Sequence, residues 1–137
     1  MAAEFVQADG AARAATAHGG QILVRVTSDF FVSALLRRVF GSGGYGAVLR
    51  RGAAEAGAVF ITTRDRLGEV RLFGPAEQTA YDEARPDERM FRQRKGTTEE
   101  AAQQLLDREL RFDPDIWIIE IEPGAVALDD LIEIRTE

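Results

Sequence analysis

The feature that most constrains the fold is a pair of segments in which apolar residues recur every three or four positions. The first segment is predicted to be a helix that Ser28 caps at its N-terminus and that ends at Gly41 in the left-handed conformation. In the second, Thr97 and Glu100 fit a capping box, and Pro114 ends the helix because the residue before a proline avoids helical backbone angles. Both helices carry an apolar stripe, so each must pack against a second layer.

Short β-rich runs separate and follow the two helices. Two of them flank Asp65-Arg66-Leu67-Gly68, which suits a type I turn with a following bulge and predicts a hairpin. In the run 117–122, alternation places Trp117, Ile119 and Ile121 on one face, which we expect to be core. Residues 125–134 fit either a short helix or a last strand. The other strand candidates are residues 21–26, 47–51 and 89–94.

Together these elements predict an α+β fold. We expect a mostly antiparallel sheet of about five short strands with two main helices packed on it. The chain has 137 residues, which suits one core. Residues 1–20, rich in Ala and Gly, are predicted to form a flexible leader, and residues 21–137 a single domain.

The residue types present exclude several kinds of chemistry. The chain has no cysteine and one histidine. Thiol catalysis, Cys-ligated zinc, iron–sulfur clusters, disulfides and multi-histidine metal sites are therefore not expected. The sequence predicts no cofactor and no metal site.

The charge and hydropathy of the chain limit its partners. Its formal net charge is −6, and this acidic balance disfavours binding to nucleic acid or to anionic membranes. No apolar run approaches the roughly 18 residues of a membrane span, and the first residues do not resemble a secretory signal. We therefore expect a cytoplasmic protein with no nucleic-acid or membrane partner.

Two short motifs invite functional interpretations. Residues 41–46 fit the pattern G-x-G-x-x-G, but a dinucleotide site needs a strand before this loop and a helix after it. Here a helix precedes the loop and a strand follows, which favours a helix end and a turn. Asp113-Pro114-Asp115 contains two carboxylates that could bind a cation, but Mg²⁺ needs more oxygen ligands, and a helix-ending turn accounts for these residues more simply.

The arginine pairs 37–38 and 50–51 leave two interpretations open. Neighbouring side chains diverge on a helix and point to opposite faces of a strand, so each pair is expected to send one side chain inward. These arginines form either internal ion pairs with the abundant carboxylates or an anion site built from one arginine of each pair. The candidate polar site consists of Arg38, Arg50, Tyr81, Asp82, Glu83, Asp113 and Asp115.

Several motifs in a fixed order resemble a known family. The strongest is Arg111-Phe112-Asp113-Pro114-Asp115-Ile116-Trp117, followed by Glu120. The others are residues 28–38, 50–52, 56–58, 72–76 and 81–83. Over residues 24–122 the chain resembles the small bacterial family known as domain of unknown function 1491. The resemblance implies a single cytoplasmic domain and carries no activity, substrate or cofactor.

These observations favour a non-enzymatic protein that binds another protein or itself. An open sheet of short strands leaves edges that must be covered or paired, and closed two-fold pairing is the most frequent arrangement in soluble oligomers. The sequence therefore predicts a homodimer, with a different protein partner as a further possibility. The alternative is an enzyme that binds a small molecule or anion through Arg and Asp/Glu side chains.

Overall fold

Two helices lie on opposite faces of a six-stranded sheet in the computed structural model, which describes residues 26–77, 89–95 and 98–136. The helices are α1 (Ser28–Gly41) and α2 (Glu99–Phe112). The strands are β1 (Tyr45–Arg50), β2 (Val59–Arg64), β3 (Val70–Pro75), β4 (Met90–Gln93), β5 (Trp117–Glu122) and β6 (Glu133–Ile134), and a 3-10 helix (Leu128–Asp130) precedes β6. The predicted leader 1–20 and most of the strand candidate 21–26 lie outside the described residues.

The sheet is mixed, with the strand order β1-β5-β2-β3-β4-β6. β5 runs parallel to β2, and β6 runs parallel to β4, while the other neighbouring pairs are antiparallel. The α+β class is confirmed, but the prediction of a mostly antiparallel sheet of about five strands is wrong. The reason lies in the connections: α2 crosses one face of the sheet and returns the chain beside β2 in the same direction. The segment 125–134 contains both the 3-10 helix and the two-residue β6.

Each face of the sheet carries its own hydrophobic core. On one face, α1 packs against the alternate side chains of β5, and Trp117, Ile119 and Ile121 are buried there as predicted. On the other face, α2 inserts Ala102 and Leu106. The residues of β2, β3 and β5 that meet them include Phe60, Val70, Leu72 and Ile118.

Each helix N-cap lies one residue away from its predicted position. The side chain of Thr27, not Ser28, accepts an amide hydrogen bond at the start of α1. Ser28 lies inside the helix and is fully buried, and its hydroxyl donates to the carbonyl of Gly57. Thr98, rather than Thr97, caps α2. Sequence spacing located both helix starts to within one residue. At the start of α1, the Ser28 hydroxyl is bound to the Gly57 carbonyl, so Thr27 supplies the cap instead.

The glycine loop after α1 also differs in detail from the prediction. Gly41 is the last helical residue, and the left-handed residue is Gly43, with φ of 83°. The prediction that Gly41 adopts this conformation is therefore wrong, because α1 continues through Gly41 and the C-cap is Ser42. The order of helix, loop and strand is as predicted, so the loop lacks the arrangement of a dinucleotide site.

The hairpin between β2 and β3 is confirmed. Gly68 has φ of 84°, and its amide donates to the carbonyl of Asp65 over 3.0 Å. The Asp65 carboxylate accepts the amides of Leu67 and Glu69 at 2.9 and 2.8 Å. These bonds explain why Asp and Gly are needed at the two ends of this turn.

Candidate functional site

Arg38 joins α1 to the segment that leads into β6. Its Nη2 donates to the carbonyl oxygen of Leu131 over 2.6 Å. The partner of this guanidinium is thus a backbone carbonyl rather than the carboxylate that the ion-pair interpretation expected.

Arg50, Asp113 and Asp115 meet at one end of the sheet. Arg50 Nη2 donates to the carbonyl oxygen of Pro114 over 2.9 Å. Asp113 Oδ1 accepts the amide of Asp115 at 3.0 Å, and the Asp115 carbonyl accepts the amide of Ala53 at 2.9 Å. The Asp113 carboxylate thereby stabilises the turn between α2 and β5, as the helix-end interpretation of this motif expected.

The structure brings together three of the seven residues of the candidate polar site. Arg38 contacts a different segment from Arg50, since their hydrogen bonds go to Leu131 and Pro114. The remaining three residues lie outside the described part of the chain: they are Tyr81, Asp82 and Glu83. Within residues 26–77, 89–95 and 98–136, no group of three or more His, Asp or Glu side chains could hold a metal ion. No helix in those same ranges is both long and apolar enough to cross a membrane.

Arg89 forms a polar network at the start of α1 that the sequence did not reveal. Its Nη2 donates to the Val26 carbonyl over 3.1 Å and to the Ser28 hydroxyl over 3.0 Å. Its guanidinium also lies 5.2 Å from the centre of the Phe31 ring. These contacts span about sixty positions of sequence, so spacing alone gave no signal for them.

A second network surrounds Trp117. Its indole Nε1 donates to the Ala53 carbonyl over 2.8 Å. Arg51 lies over the same ring, with 5.3 Å to the ring centre, and its Nη2 is 3.6 Å from Asp29 Oδ1. Because Arg51 and Ala53 belong to the loop after β1, this second network is suited to holding that loop against α1 and β5.

Arg94 lies across the backbone of β3. Its Nη2 donates to the Pro75 carbonyl over 2.9 Å, and a Cβ added at Gly74 would lie 2.6 Å from its Nε. Among the described residues, this Nε is the buried side-chain nitrogen without a hydrogen-bond partner. A donor buried in this way is shielded from solvent, so the guanidinium is better suited to joining β3 and β4 than to binding a dissolved anion.

The most distinctive surface lies at the β1 edge of the sheet. β1 is the terminal strand, and no element of the described chain pairs with its outer side. Three large apolar side chains on or beside this strand are exposed: Phe40 (46%), Tyr45 (52%) and Leu49 (57%). The rings of Phe40 and Tyr45 meet edge to face with 6.4 Å between their centres. We call these three residues the β1 edge patch.

The described ranges contain two further exposed large apolar residues. Leu67 lies at the tip of the β2–β3 hairpin and is 93% exposed, and Phe112 lies at the end of α2. Single exposed apolar side chains are normal on protein surfaces, whereas several beside an open strand, two of them in ring contact, form a candidate interaction surface. The sequence offered one signal for this surface, since residues 45–49 of the strand carry no charge.

Comparisons with known proteins identify relatives with the same fold. The family model DUF1491, described as a protein of unknown function, matches residues 24–127. A solution structure of an A. tumefaciens protein is 42% identical, with a TM-score of 0.71, covering 83% of this chain and 98% of that one. A crystal structure of a DUF1491 family protein from Caulobacter crescentus is 33% identical, with a TM-score of 0.67, covering 82% and 100%. A search of curated proteins finds no match.

Proposed function

The chain belongs to the DUF1491 family of proteins of unknown function, and for this member we propose a non-enzymatic role in binding a protein chain through the β1 edge patch. The bound chain is either a second copy or a different protein. The proposal includes a cytoplasmic location, which rests on the sequence features given above.

The exposed apolar side chains beside an open strand carry this proposal. A terminal strand presents unpaired backbone N–H and C=O groups that can pair with another extended chain. Phe40, Tyr45 and Leu49 add apolar surface next to those groups, and the strand between them is uncharged up to Arg50. Backbone pairing would supply affinity, and the apolar side chains would supply specificity.

The geometry favours this role over an anion-binding enzyme. Catalysis by Arg and Asp/Glu side chains needs several of them to converge on one substrate. Arg38 and Arg50 instead donate to carbonyl oxygens of different segments, and Asp113 accepts a backbone amide. These groups stabilise connections between elements, and we therefore assign them a structural role rather than a catalytic one.

Site-specific photo-cross-linking tests the proposal. A photoreactive amino acid at position 49 should give a discrete adduct with another protein chain in cells that express the protein. The same group at position 67 is a matched control, because Leu67 is more exposed but lies away from β1. The proposal fails if position 49 gives no adduct, or gives the same adducts as position 67.

A further inference from the structure

We propose that α2 is a hinged lid, which leaves the sheet as one unit while α1 and the sheet stay folded, and so uncovers the apolar sheet face beneath it. The inference concerns the second hydrophobic core and is independent of what binds the β1 edge patch. Elements that open in this way bury few apolar side chains and have few tertiary hydrogen bonds. The two helices of this protein differ in both respects.

α1 is fixed to the rest of the fold by hydrogen bonds to distant segments. Its first two amides donate to carbonyls in the loop after β1, over 3.1 and 2.9 Å. At the other end, Arg38 donates to the carbonyl of Leu131 over 2.6 Å. The four apolar side chains that α1 buries belong to a core of 14 buried residues in the described part of the chain. Releasing α1 therefore requires most of that core to come apart.

α2 is held mainly by local interactions. Its described side-chain hydrogen bonds lie within the helix and its cap: Thr98 accepts the amide of Ala101, and Gln103 Nε2 donates to Asp107 Oδ1 over 3.0 Å. Among the described residues, one ion pair links α2 to a strand, with 3.2 Å between Arg64 Nη2 and Glu99 Oε1. The Glu99 side chain is 72% exposed, so this pair contributes little to stability.

The apolar attachment of α2 to the sheet is also small. Its buried residues are Ala102 and Leu106, while Leu105 and Leu110 are partly buried. Alanine buries a single methyl group, so Leu106 supplies most of the fully buried apolar area of the helix. The α2 sequence consists mostly of Glu, Gln, Ala, Leu and Arg, which are strong helix formers. Its helical conformation therefore depends less on the sheet than its position does.

The turn after α2 is suited to act as the hinge. Arg50 donates to the carbonyl of Pro114, and the Asp115 carbonyl accepts an amide from the loop after β1, so the turn stays attached to that loop. Asp113 has extended backbone angles, with φ of −145° and ψ of 96°, and the helix ends there. At the opposite end of α2, the described polar link to the sheet is the exposed Glu99 ion pair. The N-terminal end of α2 is therefore the end that swings outward.

The sheet face beneath α2 is apolar. Phe60, Val70, Leu72 and Ile118 lie on the three adjacent strands β5, β2 and β3, and all four are buried in the second core. Exposing them costs free energy, so the open state is a minor population. The strands keep their hydrogen bonds to one another and their packing against α1 when α2 leaves. The open lid thus presents a second apolar surface, on the side of the sheet opposite α1.

The cysteine-free chain lets one introduced thiol report this opening. Ala102→Cys places the thiol on the buried side of α2, and Ser33→Cys is the matched control on α1, since both residues are 4% exposed. In the full chain, a thiol reagent should modify Ala102→Cys at least about tenfold faster, after correction for the global stability of each variant. Urea should accelerate the Ser33→Cys reaction steeply and the Ala102→Cys reaction weakly, because the slope follows the area exposed by the opening.

A thiol on the sheet tests whether the face beneath α2 is uncovered. Val70→Cys replaces a buried side chain of β3 that packs in the same core as Ala102. It should react at about the rate of Ala102→Cys, because one movement uncovers both positions. If Ala102→Cys reacts fast while Val70→Cys reacts only through global unfolding, the helix frays without leaving the sheet, and the lid is overturned.

Hydrogen exchange of the unmodified chain measures the same opening without a substitution, so it decides the question if a variant does not fold. Amides in residues 103–110 should exchange with a weaker urea dependence than those in residues 32–39, because a detached helix of 14 residues is marginally stable in water. Equal urea dependence in the two helices, or equal labelling of Ala102→Cys and Ser33→Cys, overturns the lid. Neither result depends on cross-linking at position 49, so the lid and the proposed function can fail separately.

Discussion

Replacing Trp117 by alanine should destabilise this fold severely. Trp117 is 1% exposed and is the largest fully buried side chain in the described part of the chain. It lies on β5, between β1 and β2, and packs in the core beneath α1. Its indole also donates to the Ala53 carbonyl over 2.8 Å. The substitution therefore removes both core volume and a tertiary hydrogen bond.

The two losses set the expected magnitude. Truncating a buried tryptophan to alanine costs about 3–5 kcal/mol in the free energy of unfolding. Leaving the Ala53 carbonyl without its donor adds about 1 kcal/mol or more. The total of about 4–6 kcal/mol is a large share of the roughly 5–15 kcal/mol that stabilises a typical domain. Trp117→Phe keeps much of the volume but loses the hydrogen bond, so it should cost about 1–3 kcal/mol.

Urea denaturation followed by circular dichroism measures these differences. With a slope of roughly 2 kcal/mol per M, Trp117→Ala should lower the midpoint by about 2 M or more, or prevent folding. Trp117→Phe remains measurable if the alanine variant does not fold. Leu67→Ala is the control and should change stability by no more than about 0.5 kcal/mol, because residue 67 is exposed. An unchanged midpoint for Trp117→Ala would refute the assignment of β5 to the core.

Three further substitutions or titrations follow from the contacts described above. Gly57→Ala should lower the free energy of unfolding by about 1–3 kcal/mol, because its Cβ would lie 2.4 Å from a backbone carbonyl oxygen. Gly41→Ala is the control: a Cβ at this position has no atom within 4 Å, so thermal melts should show a neutral or stabilising effect. Thr98→Ala should cost about 1 kcal/mol in urea denaturation through loss of the α2 cap. Phosphate, sulfate, citrate and ATP should raise the melting temperature no more than matched chloride. A ligand-specific rise that Arg38→Ala or Arg50→Ala abolishes would contradict the binding role and favour the anion-binding enzyme.

The sequence predicted the local elements better than their partners. The β2–β3 hairpin depends on bonds within the five residues from Asp65 to Glu69, so its signal is contained in the chain segment itself. The parallel pairing of β5 with β2 depends on where α2 carries the chain, and no pattern within β5 encodes its neighbour. β6 has two residues, which is too short for any periodicity to be visible.

The same difference applies to the polar residues. Asp113 was interpreted correctly as part of a helix-ending turn, because its bond to Asp115 spans two positions. The partners of Arg38 and Arg50 lie 93 and 64 positions away, and the abundance of carboxylates in the sequence suggested the wrong kind of partner. Backbone carbonyls are present at every residue and leave no compositional signal, so only their positions in space reveal such bonds.

The sequence by itself determined the two helices, the hairpin turn, the core face of Trp117, Ile119 and Ile121, and the exclusion of cysteine and multi-histidine chemistry. Periodicity, turn residues and residue types are local properties, and they act over a few positions. Only the tertiary structure decided that β1 lies at the edge of the sheet, next to β5 rather than next to β2. Strand order arises from crossovers that bring distant segments together, and it is this order that leaves Tyr45 and Leu49 exposed beside an open strand.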